Sequence, residues 1–194
     1  MLTDEEVIVI YKNSDEKAFK TLIARYATPL YNFTARLANK NDASDIVQEI
    51  FIKVWKNIGR FDERKASFKT WIFTIARNTI TDFLRKKKSL LFSDLAKPAR
   101  QDLADGINSF AENIPDENLL PDEALQKLQD SELLNKILEK LRLDYQEILI
   151  LHYQEEMTFE EIGKILNKPL NTVKSMHRRA VLELRRTVLG VAPK

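Results

Sequence analysis

The chain has 194 residues with 31 basic and 29 acidic side chains, two His, four Gly and no Cys. The lack of cysteine excludes disulfides, thiolate metal sites and iron–sulfur clusters, and two histidines are too few for a three-histidine metal site. The glycines are too scattered for a GxGxxG motif or a Walker loop. These absences remove most familiar enzyme chemistries, so we expect no enzyme, no cofactor, no metal and no small-molecule substrate.

The net charge of +2 is the remainder of four segments of opposite sign. Residues 1–88 carry +6 and residues 164–194 carry +7, whereas residues 89–129 carry −5 and residues 130–163 carry −6. Two separate basic regions suggest contact with a polyanion, although solvated surface also explains such blocks.

The sequence has no apolar stretch of the length that a membrane span needs. The first residues include Asp4, Glu5 and Glu6, so they are acidic where a secretory signal peptide is basic. We therefore expect a cytoplasmic protein.

Helical patterns extend through almost all of the first half of the chain. Asp15 is expected to cap one helix, in which Pro29 predicts a kink or a break. Asp42 is expected to start the next, since a second acidic residue follows at the third position. The predicted helices cover about residues 15–39, 42–58 and 67–88, with a short charged loop at residues 60–66.

Residues 89–122 have the composition of a linker. They contain Pro98, Pro115 and Pro121, several Asp and Asn, and no sustained apolar period. A structureless loop of this length is uncommon inside one compact domain, so we place a domain boundary there. The predicted organisation is a domain at residues 1–88, a flexible acidic linker, and a second domain at residues 123–194.

The second domain is also predicted to be helical, with helices over about residues 122–141 and 144–155. Thr158 and Glu161 have the spacing of a capping box, which starts a helix that ends near Asn167. Asn171, two residues after Pro169, is expected to cap the last helix, which extends to about Val188. No strand-like alternation persists, so the predicted class is all-α with two small helical domains.

The helix over residues 42–58 has two separate faces at 100° per residue. The core face carries Val47, Ile50, Phe51, Val54 and Ile58. The other face lies about a third of a turn away and carries Asp45, Gln48, Ile52 and Trp55. A Trp beside polar residues is typical of a partner-docking patch with an aromatic hot spot. The pattern is equally compatible with Trp55 packing on a neighbouring helix as part of a wide core.

The helix over residues 67–88 divides in the same way. Its predicted buried arc carries Phe68, Trp71, Ile72, Ile75, Thr79 and Phe83. The opposite arc carries Thr70, Phe73, Thr74, Arg77, Thr81, Leu84 and Lys88, with Asn78 and Arg85 at its edge. An exposed Phe among hydroxyls, amides and cations is typical of a platform for single-stranded nucleic acid. The cationic run at residues 85–88 is also compatible with a solvated helix end that complements the helix dipole.

The last two predicted helices, joined by a tight Asn-Lys-Pro turn, have the spacing of a helix-turn-helix. The final helix buries His177, which we interpret as a core histidine. Arginine pairs with guanine edges and other cations suit phosphates, so its outward face favours DNA in a major groove. An amphipathic hairpin with a basic face is nevertheless common. The outward residues are Asn171, Lys174, Ser175, Arg178, Arg179, Leu182, Arg185 and Arg186.

Residues 17–88 and 130–188 together resemble the compact extracytoplasmic-function (group 4) sigma factors of bacterial RNA polymerase, in the sigma-70 family. Residues 42–55 have that family's D-x-x-Q-x-x-F-x-x-x-W spacing. The resemblance implies that the clamp coiled coil of core RNA polymerase is bound by Asp45, Gln48, Ile52 and Trp55. Phe51 belongs to the motif but stays on our core arc.

Residues 67–85 are similar to the family's promoter-melting and minus-10 helix. The resemblance implies that Phe73, Arg77 and Asn78 capture an unstacked base of the nontemplate strand, in a pocket supplied by the loop at residues 60–66. Arg85 and Lys88 extend this candidate minus-10 surface, while Trp71 is interpreted as structural.

Residues 158–175 look like the family's fourth region, whose usual string is P-x-G-T-V-K-S-R. Asn171 stands where Gly is usual, and Met176 where a basic residue is usual. The resemblance implies that the minus-35 duplex is read by Asn171, Lys174, Ser175, Arg178, Arg179 and Arg185.

The resemblance predicts a transcription initiation factor that binds core RNA polymerase and promoter DNA, both duplex and single-stranded. It also implies an anti-sigma factor as partner, often membrane-bound. The acidic segments are expected to repel DNA until polymerase positions both domains. The alternative is a stand-alone helix-turn-helix repressor with a helical dimerisation or sensor domain, which leaves the Trp55 face without a role.

Overall fold

The computed structural model describes residues 2–13, 17–94, 138 and 140–188. The described residues form helices and connecting turns without any strand, which confirms the all-α class. The expected Asp15 cap, the linker beyond Asp94 and most of the helix at residues 122–141 lie outside them. The elements are α1 (Asp4–Lys12), α2 (Lys17–Leu37), α3 (Lys40–Asn57), a 3-10 turn (Ile58–Arg60), α4 (Phe68–Asp94), α5 (Leu143–Tyr153), α6 (Phe159–Leu166) and α7 (Leu170–Val188).

The first four helices form one bundle, in which α2 packs against α1 and α3, and α3 packs against α4. The amphipathic α2 supplies much of its core through Leu22, Leu30 and Phe33, each at most 1% exposed. Burial of such side chains contributes roughly 1.5–3 kcal/mol each, which far exceeds the intrinsic helix propensity of any single residue. The core of this bundle fixes which face of α3 and α4 remains outside.

Pro29 does not break α2, which is one helix from Lys17 to Leu37. Proline removes one backbone donor and normally disrupts a helix interior. Here Leu30 and Phe33, just beyond it, are fully buried. Leu22 and Tyr26 are buried before the proline as well, so core packing holds the helix on both sides of it. Of the predicted kink or break, the break was wrong.

The starts of α3 and α4 depend on side-chain caps. The side chain of Asn39 accepts a hydrogen bond from the Asp42 backbone at 2.9 Å, and its amide donates to the Asp42 carboxylate at 2.6 Å. Asn39 therefore caps α3, whereas the sequence had favoured Asp42. The Ser67 hydroxyl accepts from the Thr70 backbone at 3.2 Å at the start of α4. That helix continues to Asp94, past its predicted end at Lys88.

The second bundle consists of α5, α6 and α7, with α5 packed against both of the others. Every residue of α5 from Tyr145 to Leu151 is buried, which makes this short helix the centre of the bundle. The capping box of Thr158 and Glu161 is confirmed, with reciprocal hydrogen bonds of 3.3 and 2.9 Å. Asn167 ends α6 in the left-handed region at φ 52°.

The turn between α6 and α7 is short, and α7 begins at Leu170. The backbone of Val173 donates to the carbonyl of Pro169 at 3.1 Å, which closes the first turn of α7. Asn171 thus lies inside that turn, so its expected role as the cap was wrong. The pair α6 and α7 keeps the helix-turn-helix order that its spacing predicts.

The two bundles are in contact. In this arrangement α4 packs against α6, and α2 packs against α5. The face of α4 turned away from its own bundle therefore lies against the second bundle.

Candidate nucleic-acid and partner interfaces

The outward face of α3 is a half-exposed apolar patch bordered by polar residues. Ile52 is 51% exposed and Trp55 is 54% exposed, while Asp45 and Gln48 are exposed beside them. On the opposite side of α3, Ile46, Ile50 and Val54 are buried, and Phe51 packs against that core. The structure thus places Trp55 outside the core, so the alternative in which Trp55 packs as part of a wide core was wrong.

The basic stretch of α4 at residues 85–88 lies close to the start of α3. Lys87 lies 2.7 Å from the carboxylate of Asp42 and 5.7 Å from the centre of the Phe83 ring. The hydrogen bond from Lys87 is the main reason that the pKa of Asp42 is below its ordinary value. Sequence spacing could not show this contact, since it joins residues on different helices.

Phe73 is not an exposed platform in this structure. It is 0% exposed, and its ring meets that of Phe33 edge-to-face, with centroids 5.3 Å apart. The helical periodicity places Phe73 on the outward arc when it is read with a single buried arc for α4. The helix instead contacts α2 and α3 on one side and the second bundle on another, so its buried arc is wider. Trp71 is half-buried and packs on Phe61 and Phe68, in agreement with a structural role.

The other candidate minus-10 residues differ in their surroundings. Asn78 and Lys88 are exposed. Arg85 is exposed and pairs with Asp82 at 3.0 Å. Arg77 is half-buried, and its guanidinium lies 3.2 Å from the carboxylate of Glu147 on α5.

Further polar contacts join the second bundle to the start of α4 and its preceding loop. Lys69 pairs with Glu155 at 3.6 Å and also donates to its backbone carbonyl. The Thr70 hydroxyl donates to Glu161 at 3.3 Å. Lys164 donates to the carbonyl of Lys65, in the loop, at 2.8 Å. The partners in these three contacts are 86, 91 and 99 residues apart in sequence, which explains why no local pattern signalled them.

Burial perturbs the acids of this contact. Desolvation raises the pKa of Glu147 and of Glu155, and the cations Arg77 and Lys69 offset only part of that rise. Burial also acts to raise the pKa of Glu161. The hydrogen bonds from Thr158 and Thr70 outweigh it, however, and hold the pKa of that capping carboxyl below its ordinary value.

The last helix, α7, presents polar and cationic residues outward as predicted. Val173, Ala180 and Leu184 form its buried side. Met176 is also on the buried side, at 6% exposed. It replaces the basic residue that is usual at this position, so no cation is available there for a DNA phosphate. The outward residues Asn171, Lys174, Arg179 and Arg186 are exposed, and Ser175, Arg178 and Arg185 are half-buried.

His177 belongs to an aromatic cluster at the base of α7. Its Nε2 lies 3.1 Å from the hydroxyl of Tyr153, and its ring packs on those of His152 and Phe159. These contacts give His177 a structural role, although it is half-buried rather than inside the core as predicted. The described part of the chain holds no group of three or more His, Asp or Glu arranged for a metal ion. None of its helices has the length and apolar character of a membrane span.

Two family profiles match the chain in the order of its two bundles. Sigma-70 region 2 matches residues 22–90, which include most of α2, all of α3 and most of α4. Sigma-70 region 4 matches residues 131–184, which include α5, α6 and most of α7. The fold and the matched regions thus define a protein of the sigma-70 class.

Relatives from two bacteria match nearly the whole chain. The ECF RNA polymerase sigma factor SigW of Bacillus subtilis is 34% identical over 176 residues, covering 90% of this chain and 91% of the relative. The ECF RNA polymerase sigma-E factor of Escherichia coli K12 is 29% identical over 183 residues, covering 92% and 91%.

A solved structure supports the same assignment. It contains the sigma factor RpoE in complex with the anti-sigma factor NepR from Bartonella quintana, with 25% identity and a TM-score of 0.66 over 91% of this chain and 99% of that one. The chain belongs to the extracytoplasmic-function sigma factors of the sigma-70 family. It is a transcription initiation factor, and the comparisons give no support to a stand-alone repressor.

Proposed function

We propose that the chain binds core RNA polymerase through the exposed face of α3 formed by Asp45, Gln48, Ile52 and Trp55. The observation that carries this proposal is the exposure of Trp55, which lies on the side of α3 opposite the buried residues Ile50 and Val54. A large aromatic side chain left in water beside polar residues is the usual anchor of a protein interface. We infer that the anchored partner is the clamp coiled coil of polymerase.

Promoter melting is assigned to α4 and the loop before it. Arg77, Asn78, Arg85 and Lys88 supply amide and cationic contacts to the minus-10 nontemplate strand. Phe73 supports α4 from within, since its ring is buried against Phe33. Extrusion of a base costs a few kcal/mol, and stacking on a protein surface returns about 1–3 kcal/mol per base. The chain therefore acts by binding energy rather than by catalysis.

Reading of the minus-35 duplex is assigned to the outward face of α7. Arginines there are suited to bidentate contact with guanine, and the flanking polar and cationic groups to phosphates. The cationic character of the exposed residues supports this role. The residues are Asn171, Lys174, Ser175, Arg178, Arg179 and Arg185.

The remaining parts of the proposal concern organisation and partners. We divide the chain into a minus-10 and polymerase-binding domain at residues 1–88, a linker at residues 89–122, and a minus-35 domain at residues 123–194. An anti-sigma factor is a further partner, supported by the similar RpoE, which was solved with NepR. The chain would act in the cytoplasm, where RNA polymerase and promoter DNA are found.

The test is transcription in vitro with purified core polymerase on a DNA library that contains a randomised upstream region. We expect transcripts only when the chain is present, and their templates should share two short sequence elements at a constant separation. Absence of transcripts above those of core alone would overturn the proposal. A single symmetric element that blocks transcription would point instead to a repressor.

A further inference from the structure

The helices that carry the polymerase and minus-10 surfaces, α3 and α4, are joined near both ends of α3 by polar contacts. Near its end, the Lys53 ammonium donates to the hydroxyl of Thr79 on α4 at 3.1 Å. At its start, Lys87 on α4 lies 2.7 Å from the carboxylate of Asp42. Residue numbers rise along α3 as they fall along α4, so the two helices are antiparallel. Two contacts placed in this way fix both the register and the angle of α4 on α3.

The contact of Lys87 with Asp42 is a small network rather than an isolated ion pair. The Asn39 amide donates, at 2.6 Å, to the same carboxylate oxygen, Oδ2, that accepts from Lys87. Asp42 also lies in the first turn of α3, where the helix dipole favours a negative charge. The Lys87 ammonium lies 5.7 Å from the centre of the Phe83 ring, one turn earlier on α4. Both partners are thus held by their own neighbours, and the carboxylate opposes a DNA phosphate that approaches this ammonium.

The pair lies near the point where α4 extends past α3. The first residue of α3 is Lys40, whereas α4 continues to Asp94. Because the helices are antiparallel, Lys87 is among the last residues of α4 that α3 can hold. A change in the angle of α4 at this point also moves the adjacent minus-10 candidates, Arg85 and Lys88.

We propose that Lys87 is a positioning residue for promoter opening: it binds Asp42 rather than a DNA phosphate, and the pair holds the minus-10 face of α4 at a fixed angle to the polymerase-binding face of α3. This inference rests on the proposed function of the two helices. The cationic run at residues 85–88 is thereby divided by role, since Arg85 and Lys88 are assigned to the promoter strand. An exposed ion pair contributes little to overall stability, so its loss changes the placement of α4 and leaves the fold intact.

The experiment is a double-mutant cycle with Lys87→Met and Asp42→Asn, read as opening of a promoter recovered from the randomised library. Permanganate reactivity of unpaired thymines reports opening, and core polymerase is saturated with each variant so that its binding does not limit the signal. Lys87→Met should lower the equilibrium constant for opening about two- to fivefold, the range expected for loss of an exposed ion pair. In the Asp42→Asn background it should have no further effect, because the pair is already broken.

Two further variants control for charge and for side-chain type. Lys87→Arg preserves the ion pair and should open the promoter as the unsubstituted chain does. Lys86→Met removes one charge from the same run, at an exposed neighbouring position. Its effect on opening should be the same in both Asp42 backgrounds, since coupling to Asp42 belongs to Lys87 alone.

The salt dependence of promoter binding distinguishes positioning from direct contact. Loss of a phosphate contact lowers the slope of log affinity against log salt concentration by about one. Lys87→Met should leave that slope unchanged, whereas Lys88→Met, at a position assigned to the promoter strand, should lower it.

Three results would overturn the inference. The first is an equal loss of opening in both Asp42 backgrounds with a lower salt slope, which would make Lys87 a DNA contact. The second is normal opening with Lys87→Met, and the third is coupling of Lys86→Met to Asp42 as strong as that of Lys87→Met. Failure of the unsubstituted chain to open the promoter with core polymerase would count instead against the proposed function.

Discussion

The guanidinium of Arg77 on α4 lies 3.2 Å from the carboxylate of Glu147 on α5, and Glu147 is 2% exposed. This pair joins the region 2 bundle to the region 4 bundle. A side chain that we assign to the minus-10 strand thus pairs with the bundle to which we assign the minus-35 element.

Lower pH should favour the closed arrangement, in which the two bundles are in contact through pairs such as Arg77 with Glu147, over an open one in which they are separated. Burial raises the pKa of Glu147 and Glu155 above the ordinary 4.5, so the closed chain holds their protons more tightly than the open one. Closing therefore becomes more favourable as pH falls from neutral through the raised pKa values, and the gain stops below 4.5, where both states are protonated. Energy transfer between dyes at Lys20→Cys and Arg186→Cys reports the separation of the bundles.

The charges facing these two acids define the control for that experiment. Glu147 faces Arg77, Asp144 and Lys168, and Glu155 faces Lys69, Arg36 and Glu156. Glu147→Gln with Glu155→Gln removes the two titrating groups and should flatten the pH dependence. A pH dependence that persists in this variant would place the titrating group elsewhere.

Trp55→Ala should weaken binding of core polymerase without weakening the fold. Loss of an interface anchor typically costs about 2 kcal/mol or more, roughly thirtyfold in Kd, whereas an exposed site changes stability by about 0.5 kcal/mol at most. The measurements are polymerase titration and thermal unfolding. Tyr31→Ala, at an aromatic that is also exposed, is the control and should leave Kd unchanged. Retained affinity in Trp55→Ala would remove α3 from the polymerase interface.

Gly163→Ala should destabilise the helix-turn-helix, because the added Cβ would lie 2.9 Å from the backbone oxygen of Lys168. Overpacking of this kind costs about 1–3 kcal/mol. Gly59→Ala is the matched control, since its Cβ would meet nothing within 4 Å. Chemical denaturation of both variants checks the difference. Equal stabilities would mean that the turn between α6 and α7 adjusts freely.

Arg179→Ala should reduce minus-35 affinity and the salt dependence of binding. A lost base contact costs about 1–3 kcal/mol with relaxed specificity, whereas a lost phosphate contact lowers affinity for all sequences and the salt slope by about one. Titration of holoenzyme with promoter and scrambled duplexes at several salt concentrations distinguishes the two. Lys20→Ala, exposed on α2, should change neither quantity. An unchanged affinity in Arg179→Ala would contradict the assignment of α7.

Local patterns predicted the features that depend on neighbouring residues. The Thr158 capping box and the helix-turn-helix order follow from local spacing, and the structure confirms them. The same spacing placed Trp55 apart from the core face of α3 but left its burial open until the structure showed it 54% exposed. The predictions were wrong where packing between helices determines whether a residue is buried or a helix continues. Phe73 is buried because α4 has neighbours on several sides, and Pro29 is tolerated because the residues beyond it are locked in the core.

The contacts that sequence reasoning missed are those between distant segments. Lys87 with Asp42 and Arg77 with Glu147 join residues 45 and 70 positions apart. Charge counting did place acidic residues in the second domain and basic residues in the first. It could not show that the two groups face each other, because their pairing depends on how the bundles dock.

The most direct test of the account is the fluorescence of 2-aminopurine in the minus-10 nontemplate strand of a promoter recovered from the randomised library. The base brightens when it leaves the stack, so the signal reports promoter opening. We predict a rise only when the chain, core polymerase and promoter are all present, and a much smaller rise with Trp55→Ala. A promoter that stays closed with the complete set of components, or opens equally without the chain, would contradict the account.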